Sequence, residues 1–294
     1  MSPRSVGAIQ VAISAACFGL MAILAKFAYR DGVDVLALLL LRFGIAALVM
    51  LPVLRVKGIA WPRQRAFALL ALMGGIGYVS QSFSFFSALH YAPAALVALL
   101  LYLHPFIVML AGALLFGEAL TRIRLVCVLT ALAGTALVIG ADISGQTLGF
   151  VFGLAAALIY AGYLLVGQRV MRTEHPMAAA TIVMVSAALV FGLIALIRAP
   201  HFPSTLVGWS AAIGIALLST VLSLVLLFAG IRRLGAADAA TISTLEPVVT
   251  AALGVLVLGE RLSPVQLAGG MLVLVAVAAL TRWGGGRSRL RVGN

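Results

Sequence analysis

The chain has 294 residues, 64% hydrophobic and 10% charged, with a mean hydropathy of +1.20. Soluble domains use roughly 45–50% apolar and about 25% charged residues, so this composition excludes a water-soluble globule and indicates an integral membrane protein. The formal net charge of +12 invites a nucleic-acid reading, which the placement of the charges along the chain rejects.

Windows of about 20 apolar residues, enough to cross roughly 30 Å of hydrocarbon, predict ten transmembrane helices. They lie near 7–27, 34–54, 66–89, 92–116, 122–141, 147–168, 177–198, 207–231, 235–258 and 263–282. The runs are continuously apolar instead of alternating, which excludes an outer-membrane barrel. Loops this short leave no room for a soluble domain, so the helices themselves must carry the function. The first run is full length and lacks a small-residue cleavage site, so it reads as a retained helix, not a signal peptide.

Along the chain, Lys26 falls near the outer end of the first span, where snorkelling competes with ligand contact. Arg42 lies about eight residues into the second span; it can pair with a buried carboxyl, hold a substrate carboxylate or snorkel to the interface. In the third span Tyr78, Gln81 and Phe85 share one helical stripe. Gly75-Ile76-Gly77 has no preceding strand and reads as a helix contact, not a dinucleotide loop. The fourth span carries Tyr102 and His104-Pro105, the sixth Tyr160 and Tyr163, the eighth Ser219 and Ser223, and the ninth Ser243, Thr244 and Glu246-Pro247. Gly149 and Gly153 fit a helix-contact motif. Cys17 and Cys127 fall inside spans without pairing or metal spacing, so neither a metal nor a cofactor is expected.

Basic residues decide the topology. With the N-terminus cytoplasmic, 15 of the 20 fall on the inner side and 4 (Lys26, Arg30, Arg198, Arg261) on the outer, Arg42 being within a span. This is the positive-inside bias of ten spans with both termini inside. The charge is therefore topological, and no nucleic-acid partner is expected. Arg287, Arg289 and Arg291 read as a stop-transfer anchor beside the lipid head groups.

One stretch occurs twice. His104-Pro105, Gly117-Glu118 and Thr121 recur 142 residues later as Glu246-Pro247, Gly259-Glu260 and Ser263. Five spans separate the copies, and an odd number of crossings inserts the halves in opposite orientations. The expected architecture is two inverted five-helix repeats, 1–143 and 144–294, around a central cavity. Inverted repeats with helices broken at matching positions are a feature of secondary transporters, with substrate held near the midplane. Each proline withholds an N–H, Pro105 from the carbonyl of Leu101 and Pro247 from that of Ser243, leaving a hinge and an acceptor that either kinks the helix or faces substrate. The Gly-Glu stretches read as connectors. Ser263-Pro264-Val265-Gln266 has the pattern of a capping box with a first-turn proline, and Thr121 opens the matching helix.

Glu246 lies about 11 residues into its helix, roughly 16 Å deep, close to the bilayer centre. A carboxyl there can take a proton, meet a cationic group of substrate, or pair with Arg42. The candidate cavity lining is Tyr78, Gln81, Phe85, Tyr102, His104, Tyr160, Tyr163, Ser223, Ser243, Thr244 and Glu246. Lys26, Arg42 and Glu246 are the charge or coupling candidates, and Pro105 and Pro247 the hinges. Such a lining suits an uncharged or zwitterionic solute with an apolar or aromatic body. An intramembrane enzyme would need a nucleophile with a base, paired carboxylates or a metal cluster, whereas a single deep Glu and a single deep His lie on different helices.

Ten short-looped helices in two inverted halves, each with a mid-helix proline followed by Gly-Glu and Thr or Ser, resemble the EamA-type drug/metabolite transporter family, and within it exporters of aromatic and other amino acids. The resemblance implies alternating access by rocking of helix groups around the cavity, with Lys26, Arg42, Pro105, Gly117, Glu118, Glu246, Pro247, Gly259 and Glu260 matching the family pattern. His104 stands where the second half has Glu246, which leaves proton coupling open. The expected protein is a cytoplasmic-membrane exporter of amino acids or related metabolites, able to work as a monomer in the lipid bilayer. A drug or nucleotide-sugar carrier is the alternative.

Overall fold

The computed structural model describes residues 2–92, 94–118, 120–140, 147–259 and 261–283. Glu260, the Arg287–Arg291 cluster and the 143/144 boundary between repeats lie outside the described residues. Among those described there is no strand, and ten apolar helices are long enough to cross a membrane. They are α1 (Pro3–Arg30), α2 (Val35–Val56), α3 (Gln64–Phe85), α4 (Val97–Phe116), α5 (Arg122–Ile139), α6 (Thr147–Val170), α7 (Pro176–Ile197), α8 (Leu206–Leu234), α9 (Ala236–Leu258) and α10 (Pro264–Trp283).

Local chemistry sets the helix ends. The side chains of Ser2, Asp34, Thr121 and Thr205 accept from amide N–H groups in the first turns of α1, α2, α5 and α8. That satisfies donors that a helix cannot satisfy itself. At α10 the capping box closes reciprocally, the Gln266 side chain accepting from the Ser263 amide (2.9 Å) while Ser263 Oγ accepts from the Gln266 amide (3.3 Å). Gly117 and Gly259 end α4 and α9 in the left-handed region, at φ 64° and 68°. Both copies of the repeat thus use glycine for the same turn, where a Cβ would be strained.

Both halves also break their fourth helix. In α4 the helix stops at Leu101 and restarts at His104; in α9 it stops at Ser243 and restarts at Leu245. The third helix of each half contains a wider π turn, Met73–Tyr78 in α3 and Leu217–Leu222 in α8. Such turns displace side chains from regular helical register and are frequent at functional sites.

Leu196, Ile197 and Leu206 are 84–86% exposed, as expected of side chains that face lipid. Between helices, small residues allow close approach. A Cβ on Gly134 of α5 would stand 2.7 Å from the Gly269 carbonyl of α10, and one on Gly269 would stand 2.6 Å from the Gly134 carbonyl. The two last helices of the repeats therefore meet backbone to backbone. Gly74 approaches Ser186 and the Val183 carbonyl of α7, Gly75 meets Val190 and Ser186, and Gly149 and Gly153 abut Ala92 and Leu100, so these four glycines are helix contacts, whereas Gly77 meets only its own helix.

The face bearing the N-terminus is closed. Gly7 of α1 meets Arg233 and Leu234 of α8, and Gly230 meets Val11. Asp238, 1% exposed, receives Arg4 at 2.9 Å and Arg124 at 3.0 Å. Gln168 donates to Glu118 and accepts from the Ala236 amide, which ties the α4–α5 connector to the start of α9. At the opposite face Asp31 accepts from the Thr205 amide and from the amide and hydroxyl of Ser204. Asp34 accepts from the amides of Ala37 and His201. The Thr205 amide and the Ser204 donors hold the Asp31 carboxyl below the usual range. For Asp34 burial opposes ionisation, but the amide donors outweigh it and hold that carboxyl low as well.

Candidate functional site

A cavity of about 440 Å³ lies between the halves. It extends from Glu246 and Leu227 at mid-membrane to Tyr29 and Val35 at the α1–α2 end, where both side chains are exposed. It therefore opens on the face opposite the paired Arg4–Asp238–Arg124 cluster. α1 supplies Phe18 and Met21, α2 supplies Arg42, α3 supplies Tyr78, Gln81 and Phe85. The broken helices supply Tyr102 and His104 from α4 and Glu246 from α9, and α6 supplies Tyr160 and Tyr163.

The rings form a chain. His104 meets Tyr160 edge-on at 4.7 Å between centroids, Tyr160 stacks on Tyr163 at 6.1 Å, and Tyr163 stacks on Phe228 at 6.0 Å. These spacings are those of favourable aromatic pairs. Across the cavity the Arg42 guanidinium lies 4.9 Å from the Phe43 centroid and 5.3 Å from that of Tyr78. Arg42 is 4% exposed; its Nε donates to Thr220 Oγ1 at 2.8 Å, and Nη2 has no hydrogen-bond partner. The π turn of α8 orients this acceptor, since the Thr220 hydroxyl itself donates five residues back to the Ile215 carbonyl (2.9 Å).

At the break in α4, His104 Nδ1 is 3.0 Å from the Leu101 carbonyl. This is the carbonyl that Pro105 leaves without an N–H, and the neighbouring imidazole takes it, so of the two alternatives the acceptor is not left free to face substrate. A carbonyl only accepts, which places the ring proton on Nδ1 and leaves Nε2 as an acceptor. Nε2 is buried and unpartnered, as is the Tyr163 hydroxyl. At the break in α9 the Tyr102 hydroxyl reaches the Glu246 carboxylate, a contact between the two repeats. Gly19 makes room for this segment: a Cβ there would stand 2.8 Å from the Glu246 carbonyl oxygen, and Thr250 Oγ1 donates to the Gly19 carbonyl at 3.1 Å.

Arg42 and Glu246 form no ion pair with each other among the described residues, although they lie within electrostatic reach. Of the sequence candidates, Tyr78, Gln81, Phe85, Tyr102, His104, Tyr160, Tyr163, Glu246 and Arg42 meet around the cavity. Ser223, Ser243 and Thr244 are not on its wall, because each hydroxyl donates back to a carbonyl of its own helix: Ser223 to Thr220, Ser243 to Ala239 and Thr244 to Thr241. Ser219 instead joins α8 to α1 through the Cys17 carbonyl at 2.6 Å. Lys26 lies one turn beyond the lining residue Ala22 and is not itself on the wall; Pro105 and Pro247 sit buried just behind the lining residues His104 and Glu246. Thr220 and Asp238 were not singled out from the sequence. Thr220 has the signal of a hydroxyl near mid-span, but nothing in its neighbours indicates that it faces Arg42.

A model of the EamA-like transporter family matches this chain twice, over residues 5–140 and 147–282. The chain is 29% identical over 198 residues to a probable amino-acid metabolite efflux pump of Salmonella typhimurium, covering 63% of this chain and 66% of the relative. It is 35% identical over 133 residues to the threonine/homoserine exporter RhtA of Escherichia coli, covering 44% of each. The matched stretches thus span less than two thirds of these relatives. A solved crystal structure superposes with a TM-score of 0.79 over 96% of this chain and 98% of the other, at 21% identity, a likeness of fold alone. Two matched repeats, ten membrane-length helices and a cavity at their paired breaks lead to one conclusion: the chain belongs to the EamA-like transporter family.

Proposed function

We propose that this protein is a secondary transporter that exports amino acids, with aromatic and other neutral ones favoured, or related small metabolites across the cytoplasmic membrane by alternating access. The observation that carries the reading is the cavity between the halves, where a buried cation and a carboxylate stand unpaired among aromatic rings. Opposite charges left apart in a low-dielectric site favour a solute that brings both complements. The names of two relatives, an amino-acid metabolite efflux pump and a threonine/homoserine exporter, support the same class. With both termini cytoplasmic, as the distribution of Lys and Arg favours, the closed Asp238 face is inside and the cavity opens outward. Export then requires the Asp238 cluster to open while the α1–α2 end closes, with the breaks at Pro105 and Pro247 as hinges.

The test is counterflow in proteoliposomes loaded with unlabelled amino acid, following labelled phenylalanine, labelled threonine and a cationic dye. The proposal expects uptake of at least one labelled amino acid above that of empty liposomes. Uptake of the dye alone, or of none of them, overturns it.

A further inference from the structure

Three buried polar atoms without partners belong to residues that line this one cavity: Arg42 Nη2, His104 Nε2 and the Tyr163 hydroxyl. Buried polar groups are nearly always satisfied, so three orphans on the lining of one void leave polar capacity there that the protein does not use itself. Their chemistry divides by wall. Arg42 can only donate and is permanently cationic. His104 Nε2 can only accept, because Nδ1 donates its proton to Leu101. The Glu246 carboxylate, with one contact from Tyr102, retains free acceptor positions. Tyr163 can serve either side.

We propose that the cavity brackets a zwitterion, with Arg42 holding the carboxylate of an α-amino acid and Glu246 and His104 Nε2 accepting from its ammonium. This rests on the exporter reading and specifies how that site selects its substrate. The ligand's third substituent meets Phe18, Met21, Phe85 and Leu227, so an apolar or aromatic side chain fits. Selectivity follows from the two ends. An amine without a carboxylate leaves the buried Arg42 without an anionic partner, and an acid without an ammonium leaves Glu246 without a cationic one; a site built for a polar group rejects analogues that lack it. Thr220 is a positioning residue, since it fixes Nε and thereby holds the guanidinium at the cavity wall.

Exchange of labelled phenylalanine by the full chain in proteoliposomes, challenged with unlabelled phenylalanine, phenethylamine or 3-phenylpropionate, tests the bracket. Wild type is expected to prefer phenylalanine over each one-ended analogue by about tenfold or more, the scale of a charge-assisted hydrogen bond. In Arg42→Gln the preference over phenethylamine should collapse towards one while that over 3-phenylpropionate persists; Glu246→Gln should show the reverse. Arg42→Lys, which keeps the charge, should restore part of the carboxylate preference lost in Arg42→Gln. Phenylalanine exchange without end-group preference in wild type overturns the bracket and leaves the exporter reading standing. Equal loss of both preferences in Arg42→Gln also overturns the bracket. Absence of exchange for any amino acid overturns both.

Discussion

The two charged clusters of this molecule treat the same chemistry in opposite ways. At the closed face one carboxylate, Asp238, sits between two arginines at 2.9 and 3.0 Å and is buried. In the cavity a similarly buried arginine and a carboxylate share one void without pairing, and Arg42 keeps an unused donor. An ion-paired cluster holds helices together; charges left unpaired around a void make a site. The duplicated break shows the same division. His104 closes the gap in its own helix by donating to Leu101, whereas Glu246, at the equivalent place, has no proton to donate when ionised and reaches Tyr102 of the other repeat. The two copies share the backbone break and differ in the side chain placed at it, which makes the site asymmetric.

If this division is right, stability should respond in graded fashion. Asp238→Ala strands Arg124 in a buried position and should lower stability by about 3–5 kcal/mol, read by thermal unfolding in detergent. Unfolding at the wild-type temperature would remove the closed face's structural role. His104→Phe orphans the Leu101 carbonyl and should cost about 1–3 kcal/mol, while weakening phenylalanine exchange through the lost acceptor. A variant as stable as wild type would mean that the imidazole does not support the break. Arg42→Gln removes a charge that lacks full compensation, so its stability should stay within about 1 kcal/mol of wild type although transport falls about tenfold or more. A loss as large as that of Asp238→Ala would place Arg42 with the structural cluster.

The smallest effect concerns the open rim. Asp31 and Asp34 have lowered folded pKa values, so their contribution is present above the ordinary carboxylate pKa of about 3.9 and lost as pH falls through the folded values. Hydrogen exchange at the amides of His201, Ser204 and Thr205 should therefore lose its protection below about pH 4 in wild type. In Asp31→Asn the amides of Ser204 and Thr205 should already be less protected at neutral pH. Protection in wild type that persists through this window would show that the carboxylates do not hold the rim.

Much of this was readable from the sequence, because lipid imposes long apolar runs and the repeat needs only subtraction. The breaks, the inversion and the stripe Tyr78, Gln81 and Phe85 all follow from spacing. Helix rotation was not readable. In an apolar bilayer, helices carry little amphipathic signal, so hydroxyls such as Ser243 and Thr244 could be assigned to the cavity although their bonds turn back to their own backbone. Asp238 shows another limit. Three residues into its span it resembles an interfacial aspartate, and its burial depends on Arg4, distant in sequence, and on the close crossing of α1 and α8 at Gly7 and Gly230. The acceptor freed by Pro105 was visible, but not the partner that takes it, since a helix restarting at His104 is what brings the ring onto Leu101.

Ligand-induced thermal stabilisation of the purified full chain tests the central claim most directly, since a ligand that binds only the folded state raises its stability by mass action. The account predicts that saturating phenylalanine raises the unfolding temperature of wild type, that phenethylamine at the same concentration raises it much less, and that Arg42→Gln no longer distinguishes the two. An Arg42→Gln protein stabilised by phenylalanine as strongly and selectively as wild type would contradict it.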